Sequence, residues 1–116
     1  MNAEEMKLLT KQFANDVGNL VQLLPYNIVN KAYCSQIIRS SSSVAANYRA
    51  ARRAKSRADF INKFKIVEEE LDESLFFLEL LAAFNKQFVE KCRKIYQDGE
   101  RLLKIIVSTL KSLRKV

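Results

Sequence analysis

Histidine and tryptophan are absent from this 116-residue chain, and glycine, proline and cysteine are scarce, with two, one and two copies. Without histidine no Ser-His or Cys-His dyad can form, and the commonest metal ligand and general base is missing. The two glycines, Gly18 and Gly99, supply neither a phosphate-cradling loop nor the turns of a many-stranded sheet. Cys34 and Cys92 lack CxxC spacing and make no zinc site. Both fall in helical patterns, where a thiol behaves as a small apolar group. A disulfide between them is neither required nor ruled out. No apolar run reaches the roughly 18 residues of a membrane span. The first residues, Met1-Asn2-Ala3-Glu4-Glu5-Met6, carry acids where a signal peptide needs a basic start. These absences point to a cytoplasmic protein that is not an enzyme, uses no cofactor or metal and enters no membrane.

What is present is apolar residue at 48% and charge at 28%, enough for one modest core and hence a single domain over residues 1–116. The apolar positions recur at three- and four-residue steps, the mark of amphipathic helices. Leu9, Phe13, Val17, Leu20, Val21 and Leu24 predict a first helix over about 3–24, stopped by Pro25. Asn27 is placed to cap a second helix over about 27–54. That helix continues through Ser40-Ser41-Ser42-Ser43, because Ile37, Ser41, Val44, Tyr48 and Ala51 keep the spacing and its alanines are strong helix formers. Small residues on a helix face signal close approach of a neighbour. Ser56 caps a third helix over about 57–84 with the stripe Phe60, Phe64, Val67, Leu71, Leu75, Leu78 and Leu81. Ile61, Phe76, Phe77, Leu80 and Phe84 widen that stripe beyond what one core needs. A fourth helix covers about 88–113, and Gly99 inside it weakens it by roughly 1 kcal/mol relative to Ala. Short joints between long helices predict an all-α, up-down-up-down four-helix bundle.

Charge is partitioned along the chain, which carries a net +7. Residues 25–57 hold seven basic side chains (Lys31, Arg39, Arg49, Arg52, Arg53, Lys55 and Arg57) and no acid. Residues 58–84 hold seven acids and two bases. Arg49, Arg52, Arg53, Lys55 and Arg57 concentrate positive charge at one tip, a footprint that binds phosphate backbones by releasing counterions. A solvated basic face that keeps the protein soluble is the plainer alternative. Lys111, Arg114 and Lys115 add to the tip or lie at the other end, according to the bundle topology. Tyr33 and Tyr48 offer stacking surfaces, but their helical spacing assigns them to the core. Glu69, Glu70 and Glu73 supply carboxylates with no histidine to complete a di-metal site. The simpler account pairs Glu70 or Glu73 with Arg39 in a partly buried ion pair that sets helix register. Ser43 and Asn47 join this set as internal hydrogen-bonding residues.

Gln36-Ile37-Ile38-Arg39-Ser40 followed by Ser43-Val44-Ala45-Ala46-Asn47-Tyr48 resembles the second-helix signature of a bacterial four-helix-bundle family encoded within intervening sequences of the large ribosomal RNA gene. Arg53 to Phe60 resembles its following joint, and Lys63, Glu70, Glu73-Ser74 and Leu78-Glu79-Leu80-Leu81 resemble its third helix. The likeness is strongest over about residues 20–82. Ala50-Ala51 stands where the family usually has Glu-Ala, Glu69 where it often has Lys, and Phe77 where it has Trp. The missing acid makes the basic tip more positive. The resemblance implies a homopentameric ring of bundles with a suspected nucleic-acid-binding role. It also implies an architecture similar to the accessory proteins of diversity-generating retroelements, which bind a reverse transcriptase and its RNA. The residues and the resemblance together predict a non-catalytic, RNA-directed oligomer contacting phosphates through Arg49, Arg52, Arg53, Lys55 and Arg57. The alternative is a protein-interaction adaptor for an enzyme such as a reverse transcriptase.

Overall fold

The computed structural model describes residues 1–114; Lys115, counted above with the C-terminal cations, lies outside the described residues. Four helices, α1 (Ala3–Leu23), α2 (Ile28–Ala51), α3 (Arg57–Phe84) and α4 (Val89–Arg114), follow one another, with a single 3-10 turn at Lys86–Phe88 before the last. Asn2, Asn27 and Ser56 cap α1, α2 and α3, their side-chain oxygens accepting the amides of Glu5, Asn30 and Asp59 at 2.8, 2.8 and 3.1 Å. Each cap satisfies a donor that the first helical turn leaves free. The serine run lies wholly inside α2.

The second helix ends at Ala51, three residues before its predicted limit near 54. Arg53 and Ala54 instead donate to the carbonyls of Ala50 and Ala51 at 3.0 and 3.1 Å, tightening the backbone into a turn. The helix-forming alanine loses because Ser56 must be extended (φ −156°, ψ 167°) to cap α3. The backbone amide of Lys55 is then taken up by the Asp59 carboxylate at 3.2 Å.

Among the described residues each helix packs on its chain neighbours and α1 closes on α4, leaving α1 across from α3 and α2 across from α4. The bundle measures 47 × 21 × 20 Å. Its core is the inward stripe of each helix, with Val17, Ile37, Val44, Val67, Leu71, Leu81 and Ile106 fully buried. In α1 that stripe is Met6, Thr10, Phe13, Val17 and Leu20. Leu9, expected in it, is exposed, because the four-three step from Met6 carries Thr10 to the core instead.

Small residues set the close contacts. Ser40, Ser41 and Ser74 are fully buried, and Ser40 meets Ser74 between α2 and α3. The Ser40 and Ser74 hydroxyls share a hydrogen bond at 2.7 Å, and the Glu70 carbonyl lies 2.9 Å from the Ser74 hydroxyl as its acceptor. Gly99 is buried as well, and a Cβ there would stand 2.7 Å from Phe13 Cε1 and 2.8 Å from Leu75 Cδ2. The expected local weakness of α4 is thus the condition for α1 and α3 to seat against it.

At the joint-bearing end opposite the basic tip, Asn30 and Asn85 form a buried reciprocal amide pair. Asn30 Nδ2 donates to Asn85 Oδ1 at 2.9 Å, and Asn85 Nδ2 donates to Asn30 Oδ1 at 2.8 Å. Their second amide hydrogens go to the Pro25 and Leu81 carbonyls, each at 2.9 Å. Two uncharged hydrogen bonds thus tie the start of α2 to the end of α3, and two local ones anchor the pair to the α1–α2 joint and to α3.

Cys34 is half-buried on α2 and Cys92 buried on α4, both as free thiols. Helices α2 and α4 have no Cα atoms within 8 Å of one another, beyond the 4.4–6.8 Å a disulfide spans. This fold excludes the bridge that the sequence left open.

Candidate nucleic-acid interface

Alternating helix direction brings the end of α2, the start of α3, the start of α1 and the end of α4 to one tip. The Arg57 guanidinium donates to the Leu113 carbonyl, joining the first turn of α3 to the last turn of α4. Lys111 and Arg114 therefore lie at the same end as Arg49, Arg52, Arg53, Lys55 and Arg57, the question the sequence left to topology.

All five predicted phosphate-binding residues are exposed. Among the described residues none of them forms an ion pair, and neither does Lys111 or Arg114. Elsewhere cations are engaged: Arg93 faces Glu90, and Lys94 and Arg101 share Asp98. Acids at the tip are Glu4 and Glu5 in the first turn of α1 and Asp59 in that of α3. Such placement suits the helix macrodipoles, with carboxylates at helix starts and cations at helix ends. The cations still outnumber the acids, so the tip is net positive.

Beneath the cations sits an aromatic stack. The Phe60 and Phe64 rings lie 4.6 Å apart with planes 28° from parallel, and the Tyr48 ring follows at 5.7 Å from Phe64. Tyr48 is 3% exposed. Burial pushes its phenol above the ordinary tyrosine range, the nearby Arg52 opposes that and Glu4 adds to it, so the hydroxyl stays protonated at neutral pH. Tyr33 belongs to the other end, where it is half-buried against Phe77 and Phe84 at 6.0 and 5.9 Å.

Of the residues expected to set register, Arg39 meets both carboxylates rather than one. Its Nη1 lies 3.2 Å from each Glu70 oxygen, and its Nη2 bonds Glu73. Those hydrogen bonds to Glu70 and Glu73 raise the guanidinium pKa further above its already high value. The Arg39 side chain is half-exposed and that of Glu70 only 19% exposed, so the cluster is a partly buried clamp between α2 and α3, with two carboxylates where one was expected. Ser43 and Asn47 bond one another within α2: Asn47 Nδ2 donates to the Ser43 carbonyl and hydroxyl at 3.0 and 2.9 Å. Among the described residues they make no interhelical hydrogen bond. The interhelical polar contacts that sequence reasoning passed over are Ser40 with Ser74 and Asn30 with Asn85. Buried serines in an apolar stripe were a legible signal for the first, whereas nothing local marks the second.

The widened stripe of α3 divides in two. Phe76 and Phe84 are exposed, while Ile61, Phe77 and Leu80 are half-buried. Tyr26 and Ile28 at the α1–α2 joint are 86% and 85% exposed. The end opposite the basic tip thus exposes Tyr26, Ile28 and Phe84 among charged side chains such as Lys31, Lys86 and Glu90. No described helix is long and apolar enough to cross a membrane.

Compared with known proteins, residues 5–108 match the sequence model of a family described as 23S rRNA-intervening sequence protein. No curated protein matches the chain. Among solved structures, it is similar to a protein of unknown function from the S23 ribosomal protein family of Bacteroides thetaiotaomicron. The two are 35% identical, the match covers 96% of this chain and 99% of that one, and the TM-score is 0.83.

Proposed function

The chain belongs to the 23S rRNA-intervening sequence protein family, and from that premise we propose that it is a non-catalytic, RNA-directed binding protein of the cytoplasm, contacting phosphates through its basic tip. The observation that carries this reading is the convergence of Arg49, Arg52, Arg53, Lys55 and Arg57 with Lys111 and Arg114, exposed and without ion-pair partners among the described residues. Cations in that state exchange counterions for phosphate oxygens, giving affinity with little sequence choice. The protein works as a homopentameric ring, which repeats the tip and multiplies its avidity.

The test is fluorescence anisotropy of a labelled, structured RNA titrated with protein at low and physiological salt, with a DNA duplex of equal length as competitor. Binding should weaken steeply with salt and survive the DNA. Exchanging Arg52 and Arg53 together for Glu should weaken binding alike for all RNA sequences, with assembly unchanged. Absence of binding at low salt would overturn the phosphate reading, and a solution mass equal to one 13.4 kDa chain would overturn the ring.

A second reading, a protein-interaction adaptor for an enzyme such as a reverse transcriptase, is favoured by the exposed Tyr26, Ile28 and Phe84 at the other end and by Phe76 further along α3. Apolar side chains so grouped usually mark an interface.

A further inference from the structure

Because α1 lies across from α3 and α2 across from α4, the α1–α2 seam and the α3–α4 seam are opposite faces of the bundle. Each holds a groove of about 360 Å³. The walls of the first include Val21, Lys31, Ser35 and Ile38, and those of the second Glu79, Ala82, Val89 and Tyr96. Steps of three and four residues extend the first stripe from Val21 back through Gly18 and Ala14 to Lys11. The same steps carry the second from Glu79 back through Asp72 to Glu68, and from Tyr96 on to Glu100 and Leu103.

The two faces bear opposite charge. Helix α2 contains no acid, and neither Lys11 nor Lys31 forms an ion pair among the described residues. On the other face Glu68, Asp72, Glu79 and Glu100 are equally unpaired among the described residues, and Arg93 beside them is taken by Glu90. Burial pushes the Tyr96 phenol up, and the charges of Glu79, Glu100 and Asp72 push it further, so all three carboxylates act on one half-buried ring. The charges also match in height. At 1.5 Å per residue from the basic tip, Lys11 and Glu68 stand at about 12 and 16 Å, and Lys31 and Glu79 at about 30 and 33 Å.

We propose that the acidic α3–α4 face of one copy docks on the basic α1–α2 face of the next, pairing Glu68 with Lys11 and Glu79 with Lys31 and setting every basic tip on the same side. The inference rests on the ring reading above and adds the surfaces that build it. Two different patches in contact make a heterologous interface, the kind that closes into a ring when the rotation per copy allows. A face 47 Å long and 20 Å wide accommodates the roughly 800 Å² per partner of a stable interface. Exposed ion pairs add little affinity, so their part is to choose the partner face and its register. Apolar contact comes from Val21 and the 39% exposed Ile38 on one face, and from Tyr96 and Leu103 on the other.

In the experiment, unlabelled and isotope-labelled chains are refolded together and treated with a carbodiimide, which joins an amine to a carboxylate only where the two touch. Mass spectrometry should find Lys11 joined to Glu68 and Lys31 to Glu79 in peptide pairs of mixed label, which arise only between copies. Lys11→Glu with Lys31→Glu makes a chain acidic on both faces, and Glu68→Lys with Glu79→Lys makes one basic on both. Alone, each double variant should associate at least roughly tenfold more weakly in sedimentation, because like charges then meet. An equimolar mixture of the two should regain association. Circular dichroism checks the fold, and if a variant fails to fold the cross-links of the unaltered chain decide. An assembly without these cross-links, or double variants that assemble unchanged, would overturn the assigned faces and leave the ring standing on another surface. Sedimentation of the unaltered protein as one 13.4 kDa chain would overturn both.

Discussion

The edge of the Phe13 ring occupies the position where a side chain on Gly99 would begin: a Cβ there would stand 2.7 Å from Phe13 Cε1. Phe13 is 2% exposed and Leu75, the other neighbour, 4%, so neither has room to swing away. Gly99→Ala adds about 1 kcal/mol of helix propensity but overpacks the core, which typically costs about 1–3 kcal/mol. A net loss of about 1 kcal/mol is expected. Gly18 is the control: nothing lies within 4 Å of a Cβ there, and Gly18→Ala should stabilise by about 0.5–1 kcal/mol. Urea titrations of both variants check this, and equal stabilisation by the two would refute the steric account of Gly99.

Asn30→Ala should destabilise by about 1–3 kcal/mol, because it leaves the buried Asn85 amide short of a partner. The double variant Asn30→Ala, Asn85→Ala should fall well short of the sum of the single losses, since the second removal takes away only an already orphaned group. Additive losses in that cycle would mean the reciprocal bonds contribute no coupling.

The α2–α3 contact at Ser40 and Ser74 should respond to volume rather than to polarity. Ser40→Ala removes one hydroxyl, leaves Ser74 bonded to the Glu70 carbonyl and gains helix propensity, so a change within about 0.5 kcal/mol is expected. Ser40→Val pushes two backbones apart and should cost about 1–3 kcal/mol. Thermal melts of the pair would decide, and a greater loss for Ala than for Val would contradict the close-packing view.

Burial raises the pKa of both thiols, for Cys92 with a small further push from Cys34. Less thiolate is therefore present at any pH below the raised value, and alkylation in native buffer at pH 8 should be slower than for an unfolded control. Cys34, half-buried, should react before Cys92, which should label only on unfolding. Mild oxidation should leave both reduced within the chain, and mass spectrometry showing an intrachain bridge would require a bundle with α2 and α4 in contact.

Much of this architecture was legible because its signals are local. Asn27 and Ser56 each stand one residue before a helix start, and a cap needs only its own oxygen and the amide three residues on. The serine run kept its helical spacing, so composition did not mislead. The limit of α2 was less legible: Ala54 favours helix, but the geometry of the next cap overrides it. Whether the cations ending α4 join the tip was left open by the sequence, and the Arg57–Leu113 bond shows that they do. The helical spacing of Tyr48 marked it as a core residue, and its ring is buried there.

By itself the sequence determined four amphipathic helices, the caps of the second and third and a concentration of cations between those two, because periodicity, capping and charge are properties of residues three or four apart. Tertiary structure decided which polar side chains found partners. Asn30 met Asn85 across 55 positions, Gly99 took in Phe13, and Arg39 reached two carboxylates while Ser43 and Asn47 turned to each other. Those outcomes depend on the rotation and depth at which helices pack, and these follow from the volumes of all facing side chains together.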